Sequence, residues 1–284
     1  MTAHVVVGTD GSPSAEAAVG WAAEDAARRG SALRIVHVRE DWRRGTPQEL
    51  EETLEGEARG VLEAAADLAR GRAPGLTVTT SLETGRPVEV LRREAEDAEQ
   101  LVIGSRGRGG FAGLLLGSVS LSLAGHVDVP VVVVRGEKHE EHGEVLVGFD
   151  GSPESEAALE YAFEEAARRG ARLRALHGWQ LPVMAVGSIA YTPLIEDISG
   201  TEERLATEIL TPWRERYPRV EVRQAVLFEH PVLALNEASA TADLVVVGSR
   251  GLGGFGSAVL GSVSHGVLHH AACPVAVVRA KAEG

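Results

Sequence analysis

The sequence predicts an α/β chain made of two tandem doubly wound, Rossmann-like domains. Three observations lead there. The chain is one unit written twice: residues 4–38 and 144–178 align without a gap and agree at 20 of 35 positions, and residues 104–120 match 248–264 at 12 of 17. Each unit alternates short apolar, β-branched runs with longer Ala/Glu/Leu-rich stretches, the signature of strand–helix–strand connections. Several strand runs are nearly continuous Val, Ile and Leu, as expected for strands buried on both faces of a parallel sheet covered by helices. The length of 284 residues suits two domains, each of roughly 100–150 residues. The two alignments run at offsets of 140 and 144, so the four-residue difference falls in mid-unit. The expected domains are 1–136 and 144–281, joined by the polar stretch GEKHEEHGE over 136–144.

The elements of the first unit follow in order. HVVVG (4–8) is a short β-branched strand that stops at a glycine. The next stretch opens with turn residues, has Pro13 at the first helical position and ends on Gly30, the Pro-early, Gly-late asymmetry of a helix. ALRIVHV (32–38) is a second strand, residues 47–70 a long helix and LTVTTSLE (76–83) a third strand. A third helix covers 87–98, starting at Pro87, and QLVIG (100–104) is the fourth strand. GSVSLSLAGHV (117–127) is a short helix and PVVVVR (130–135) the fifth strand. Right-handed crossovers between parallel strands place any ligand beyond the strands' carboxyl ends, near the point where the strand order reverses.

Composition excludes several function classes. Basic residues number 28 and acidic residues 41, for a formal charge of −13. Such a surface repels phosphate backbones and anionic lipid, so neither nucleic acid nor a membrane is an expected partner. Only Lys138 and Lys281 are lysines, which leaves no core lysine for Walker-type hydrolysis, kinase-type transfer or a Schiff base. The single Cys273 cannot form an internal disulfide. No signal-like segment and no long apolar run is read, so a cytoplasmic protein is expected.

The chemistry-bearing residues sit at predicted strand ends. After the fourth strand of each unit come GSRGRGGFAGLLLGSVS (104–120) and GSRGLGGFGSAVLGSVS (248–264). Glycines allow backbone N–H groups to approach an anion, and the following helix start supplies unpaired N–H groups and a partial positive charge. The hydroxyls of Ser118 and Ser120 can add donors. The same glycines also suit a plain turn, so both readings stand at this point. Asp10 and Asp150 end the first strand of each unit in a DGSP string. They could accept from ribose hydroxyls, or serve as Asx turns and helix caps. His37 and His177 read as packed structural residues near the end of the second strand.

These residues together resemble the universal stress protein family in its tandem form. The family's nucleotide signature, G-x2-G-x9-G-[ST], is met by Gly104, Gly107, Gly117 and Ser118, and again by Gly248, Gly251, Gly261 and Ser262. The resemblance implies five-stranded parallel sheets of order 3-2-1-4-5 and one ATP per domain, with Mg2+ at the phosphates. It implies that Asp10 and Asp150 contact the adenosine part, and that the backbone at Val38 or Gly178 meets adenine. Phosphates would be held by the glycine loops with Ser118 or Ser262. The expected first-unit set is Gly8, Thr9, Asp10, Val38, Gly104, Ser105, Arg106, Gly107, Arg108, Gly117, Ser118, Val119 and Ser120. Its counterpart is Gly148, Phe149, Asp150, Gly178, Gly248, Ser249, Arg250, Gly251, Gly261, Ser262, Val263 and Ser264. It further implies pairing of the last strands, 130–134 with 274–278, within the chain, and a homodimer is a further possibility. The expected role is regulatory and non-enzymatic, acting through nucleotide-dependent conformation or binding of an unidentified regulatory protein. A slow ATPase, or a scaffold with vestigial sites, is the alternative.

Several features depart from the pattern or compete with it. Gly178 replaces Val38, which predicts poorer adenine packing in the second unit. Leu252 replaces Arg108, which predicts tighter phosphate binding in the first. Residues 181–197 have no counterpart of like composition and read as a surface loop rather than a flap. His265, His269, His270 and Cys273 cluster on the last helix, but the first unit has Leu121, Gly125 and Val129 at the equivalents of His265, His269 and Cys273, which disfavours a metal. Glu83 and Glu229 near the third-strand ends are the carboxylates a hydrolytic reading would use.

Overall fold

A computed structural model of the chain describes residues 3–40, 48–109, 116–135, 141–180, 192–252 and 260–280. It divides into two compact units, Met1–His139 and Glu140–Gly284. The first unit comprises β1 (His4–Thr9), α1 (Pro13–Arg29), β2 (Ala32–Arg39), α2 (Gln48–Arg72), β3 (Val78–Thr84), α3 (Pro87–Glu94), β4 (Gln100–Gly104), α4 (Ser118–His126) and β5 (Val131–Val134). The second comprises β6 (Glu144–Gly148), α5 (Pro153–Arg169), β7 (Arg172–Gly178), α6 (Thr192–Arg216), β8 (Val222–Leu227), α7 (Pro231–Ser239), β9 (Leu244–Gly248), α8 (Ser262–His270) and β10 (Val275–Val278).

Within the units the strand orders are β3-β2-β1-β4-β5 and β8-β7-β6-β9-β10. All pairings within each unit are parallel. The order reverses between β1 and β4, and between β6 and β9, where two crossovers leave on opposite sides and open a crevice. The register aligns the strand ends there: Gly8 pairs with Val36, Thr9 with His37 and Gly104 with Val134.

The central strands are continuous apolar runs because both faces are covered. Val5, Val6, Val7, Leu101 and Val102 are fully buried, as are Val145, Leu146, Val147 and Leu244. Small alanines let α1 pack close to the sheet: Ala18, Ala22, Ala23 and Ala26 have no exposed surface. The helix ends obey local rules. Ser12 and Ser152 cap α1 and α5 by accepting from Ala15 N–H and Ser155 N–H. Gly30 and Gly170 close them at φ 71° and 61°, a left-handed conformation that costs glycine no Cβ clash.

Two expectations shift. The third helix stops at Glu94 rather than 98, because the N–H groups of Glu96 and Ala98 bond back three residues to Arg93 and Ala95 carbonyls, tightening the chain into turns. Of the stretch read as a surface loop, residues 192–197 belong to α6, and 181–191 lie outside the described residues. Lys138, Lys281, most of the expected linker, and the middle of each glycine loop (110–115 and 253–259) also lie outside them. No described helix is long and apolar enough to cross a membrane.

Candidate functional site

At the crevice of the first unit, Asp10 holds the glycine loop to the end of β1. Its Oδ1 accepts from Ser12 N–H at 3.0 Å, an Asx turn that starts α1. Its Oδ2 accepts from Arg108 N–H at 2.7 Å. Ser14 Oγ accepts from Arg106 N–H at 3.2 Å, and Ser12 Oγ donates to the Arg106 carbonyl at 3.4 Å. The loop is therefore tied to the start of α1 by the backbone of Arg106 and Arg108.

The loop glycines answer to close approach. A Cβ at Gly107 would lie 2.6 Å from Asp10 Oδ2, and one at Gly251 would collide with Asp150 Oδ2. A Cβ at Gly104 would sit 2.7 Å from the Ser14 backbone, and one at Gly248 2.8 Å from that of Glu154. Gly117 N–H and Gly261 N–H each bond the carbonyl of the serine after the strand, at 2.8 Å, and so return the loop to the strand end. The helix that follows has an open start: neither α4 nor α8 has a side-chain cap. The N–H groups of Ser118, Val119 and Ser120, and of Ser262, Val263 and Ser264, thus belong to a first turn with no intrahelical acceptors.

Ser120 and Ser264 act differently from the expectation. Each is buried and donates its only hydroxyl proton inward, Ser120 to the Gly104 carbonyl at 2.8 Å and Ser264 to Ser249 and Gly261 carbonyls at 2.9 and 3.0 Å. Their side chains fasten the helix to the strand end, leaving only their backbone N–H groups for a ligand. Ser118 and Ser262 remain exposed at the first helical position.

The second unit shows the crevice as a cavity of about 610 Å³. Of the expected second-unit residues, all but Ser249 line it; Ser249 is buried beneath, 1% exposed. Leu176, Pro231, Leu235 and Val247 add an apolar wall. Asp150 repeats the role of Asp10: Oδ1 accepts from Ser152 N–H at 3.0 Å and Oγ–H at 2.6 Å, and Oδ2 from Leu252 N–H at 3.0 Å. Burial pushes its carboxyl pKa up, but the hydrogen bonds from Ser152 and Leu252 outweigh that and hold it below the ordinary aspartate value.

His37 and His177 are structural, as read. Nδ1–H of each donates to the end of the neighbouring strand, to the Thr9 carbonyl at 2.8 Å and the Phe149 carbonyl at 2.9 Å. Gly178 has a packing reason: a Cβ there would lie 2.8 Å from Pro231 Cα, so α7 fills the space a side chain would need.

Four residues escaped the sequence reading. Glu202 on α6 lies 3.2 Å from His177 Nε2. Glu154 pairs with Arg250 at 3.0 Å. Arg135, just after β5, is near enough to Arg106 for cation repulsion, with burial the larger cause, to lower its pKa. Pro231 forms part of the cavity wall. For Glu154 a signal existed: it breaks the duplicated motif, GSPSAE against GSPESE. The others depend on tertiary approach. Among the described residues no group of three or more His, Cys, Asp or Glu side chains could hold a metal, although His265 and His269 face each other at 4.6 Å.

Comparison with known proteins agrees with this architecture. A universal stress protein of Mycobacterium tuberculosis is 41% identical over 97% of this chain and 96% of its own length. A universal stress protein of Mycolicibacterium smegmatis is 39% identical over 97% and 96%. The crystal structure of a universal stress protein from Archaeoglobus fulgidus superposes with a TM-score of 0.71 at 21% identity, covering 98% of both chains. The universal stress protein family model matches residues 1–135 and again 142–279. With one family segment in each of its two units, the chain belongs to the universal stress protein family.

Proposed function

We propose that each unit binds one adenine nucleotide across the carboxyl ends of its strands. The protein then acts by occupancy rather than turnover: a regulatory partner reads the nucleotide-bound form in a cytoplasmic stress response. The observation that carries this reading is the second-unit cavity of about 610 Å³, where the glycine loop, the open start of α8, Asp150 and an apolar wall meet. That volume lies within the usual range for small-ligand sites, about 300–1,000 Å³. A nucleotide asks for those parts: an apolar slot for the base, an acceptor for ribose hydroxyls and N–H donors for phosphate. The Asx-turn and ribose roles of the aspartates are compatible, because Oδ2 of each accepts from one loop N–H, that of Arg108 or Leu252, and keeps a second lone pair for a ribose hydroxyl.

Mg2+ would come with the phosphates. It keeps several waters and needs few protein oxygens, so the exposed hydroxyls of Ser118 and Ser262 are a sufficient donor set on the chain's side. A binding role rather than hydrolysis is supported by the carboxylates at hand. Asp10 and Asp150 are held by backbone donors, and Glu83 is engaged by Ser81 at 2.7 Å and Arg93 at 3.3 Å.

The test is native mass spectrometry of freshly purified protein, followed by titration calorimetry on Gly107→Val and Gly251→Val. Each substitution drives a side chain into the neighbouring aspartate, and is expected to weaken nucleotide binding at its own unit about tenfold or more, 1.4 kcal/mol per decade. Far-UV circular dichroism should be retained. Unchanged affinity in both variants would remove the loops from the site.

A further inference from the structure

The two candidate sites carry unequal charge, and two breaks in the duplicated motif produce it, Ser14 against Glu154 and Arg108 against Leu252. Ser14 and Glu154 hold the same place in the repeat, the second residue of α1 and of α5. Ser14 accepts from the Arg106 backbone, and among the described residues no carboxylate pairs with the Arg106 side chain. Glu154 instead places Oε1 3.0 Å from Arg250 Nη2, and its own side chain is only 15% exposed. Arg108 adds a second cation to the same loop, where the second unit has an exposed Leu252. In the first unit two arginines thus flank Gly107, and the position of Glu154 in the repeat is a neutral serine. In the second, the arginine that lines the cavity is already neutralised by a largely buried acid.

We propose that the Glu154–Arg250 ion pair makes the second site select by phosphate charge, so that it takes a nucleoside bearing at most one phosphate while the first site takes the triphosphate. The proposal rests on the nucleotide-binding reading above and assigns the ligand class of each site within it. A polyphosphate entering the Gly248–Gly251 loop meets an Arg250 whose charge Glu154 already offsets, and lies near a carboxylate that burial leaves poorly screened. A single phosphate is served by the open N–H groups of α8 and leaves the pair intact. In the first unit Ser14 adds no charge, and every added phosphate charge gains from Arg106.

The experiment is calorimetric titration of the full chain with ATP and with AMP. Each unit is read alone after its neighbour is disabled by Gly107→Val or Gly251→Val. The readout is the ratio of the two affinities. The second unit is expected to favour AMP and the first ATP. Glu154→Gln should shift the second unit's ratio toward ATP about tenfold, and Ser14→Glu should shift the first unit's toward AMP by a similar factor, the scale of one charge pair at a partly screened surface. The reciprocal variant carries the test if Glu154→Gln fails to fold. Nucleotides that bind with ratios unmoved by either substitution, or with ATP and AMP weakened alike, overturn the charge selection and leave the nucleotide sites standing. Absence of binding by both nucleotides at both units overturns the site reading, and the selection with it.

Discussion

At the residue scale, the aspartate that ends the first strand of each unit does two jobs with two oxygens. One starts the next helix and the other fixes the glycine loop. For Asp150 this has a consequence in pH. Its folded-state pKa lies below the ordinary value despite the opposing effect of burial. The ionised form is thus favoured by folding: the stability it contributes is complete above the unfolded pKa and is lost as pH falls through the folded one. Asp150→Asn is expected to lower the urea midpoint at pH 7, with the gap from the parent protein closing as the pH is taken toward 3. A gap constant with pH would mean that the side chain's shape, not its charge, holds the loop. Asp150 was visible in the sequence as DGSP after a strand. Its bond to Leu252 N–H spans 102 residues and depends on β6 and β9 being neighbours in the sheet.

At the element scale, the helices that meet the crevice start in two ways. Ser12 satisfies an N–H of α1 with its own side chain, whereas α4 begins at Gly117 with none. Ser12→Ala is therefore expected to cost about 1 kcal/mol of unfolding free energy. Ser118→Ala should stay within about 0.5 kcal/mol of the parent in stability, as an exposed substitution does, and weaken nucleotide binding instead. Paired denaturation and calorimetry check both; the reverse pattern would assign α4 an ordinary capped start. The sequence already outlined these elements, because strands buried on both faces must be apolar throughout and proline and glycine mark where helices begin and end. It was less informative where hydrogen bonding alone decides, as at Glu94, or where side chains meet across the fold. His177 and Glu202 are 25 residues apart, and no local pattern announces that α6 brings them together. The inward turn of the Ser120 and Ser264 hydroxyls was likewise hidden, since the same serines at the same helix start would read as ligand donors until their burial is known.

At the scale of the whole molecule, Cys273 offers a reporter. It is buried, and that burial, with the negative charge of Asp243 adding to it, pushes its thiol pKa up to about 12. The folded second unit should therefore resist iodoacetamide at pH 8, and labelling should follow the rate of its opening. A nucleotide at a thousand times its dissociation constant stabilises the bound form by about 4 kcal/mol and should slow labelling roughly a thousandfold when reclosing is fast. AMP is the ligand to use for this unit. Labelling that AMP and ATP both leave unaltered at every concentration would place the nucleotide elsewhere.

The glycines of the loop signature do not carry equal weight as witnesses. Gly104 and Gly248 are demanded by the backbone of the first helix, which leaves no room for a methyl group whether or not anything is bound. A descendant of this chain that had abandoned its ligand would still be compelled to keep them. Gly107 and Gly251 face a carboxylate rather than a peptide plane, and a side chain there is excluded only while that aspartate holds the loop. Drift at the second glycine, accompanied by drift at the aspartate, is thus the mark by which a lapsed pocket would be recognised, while an intact first glycine testifies only that the strand still meets the helix.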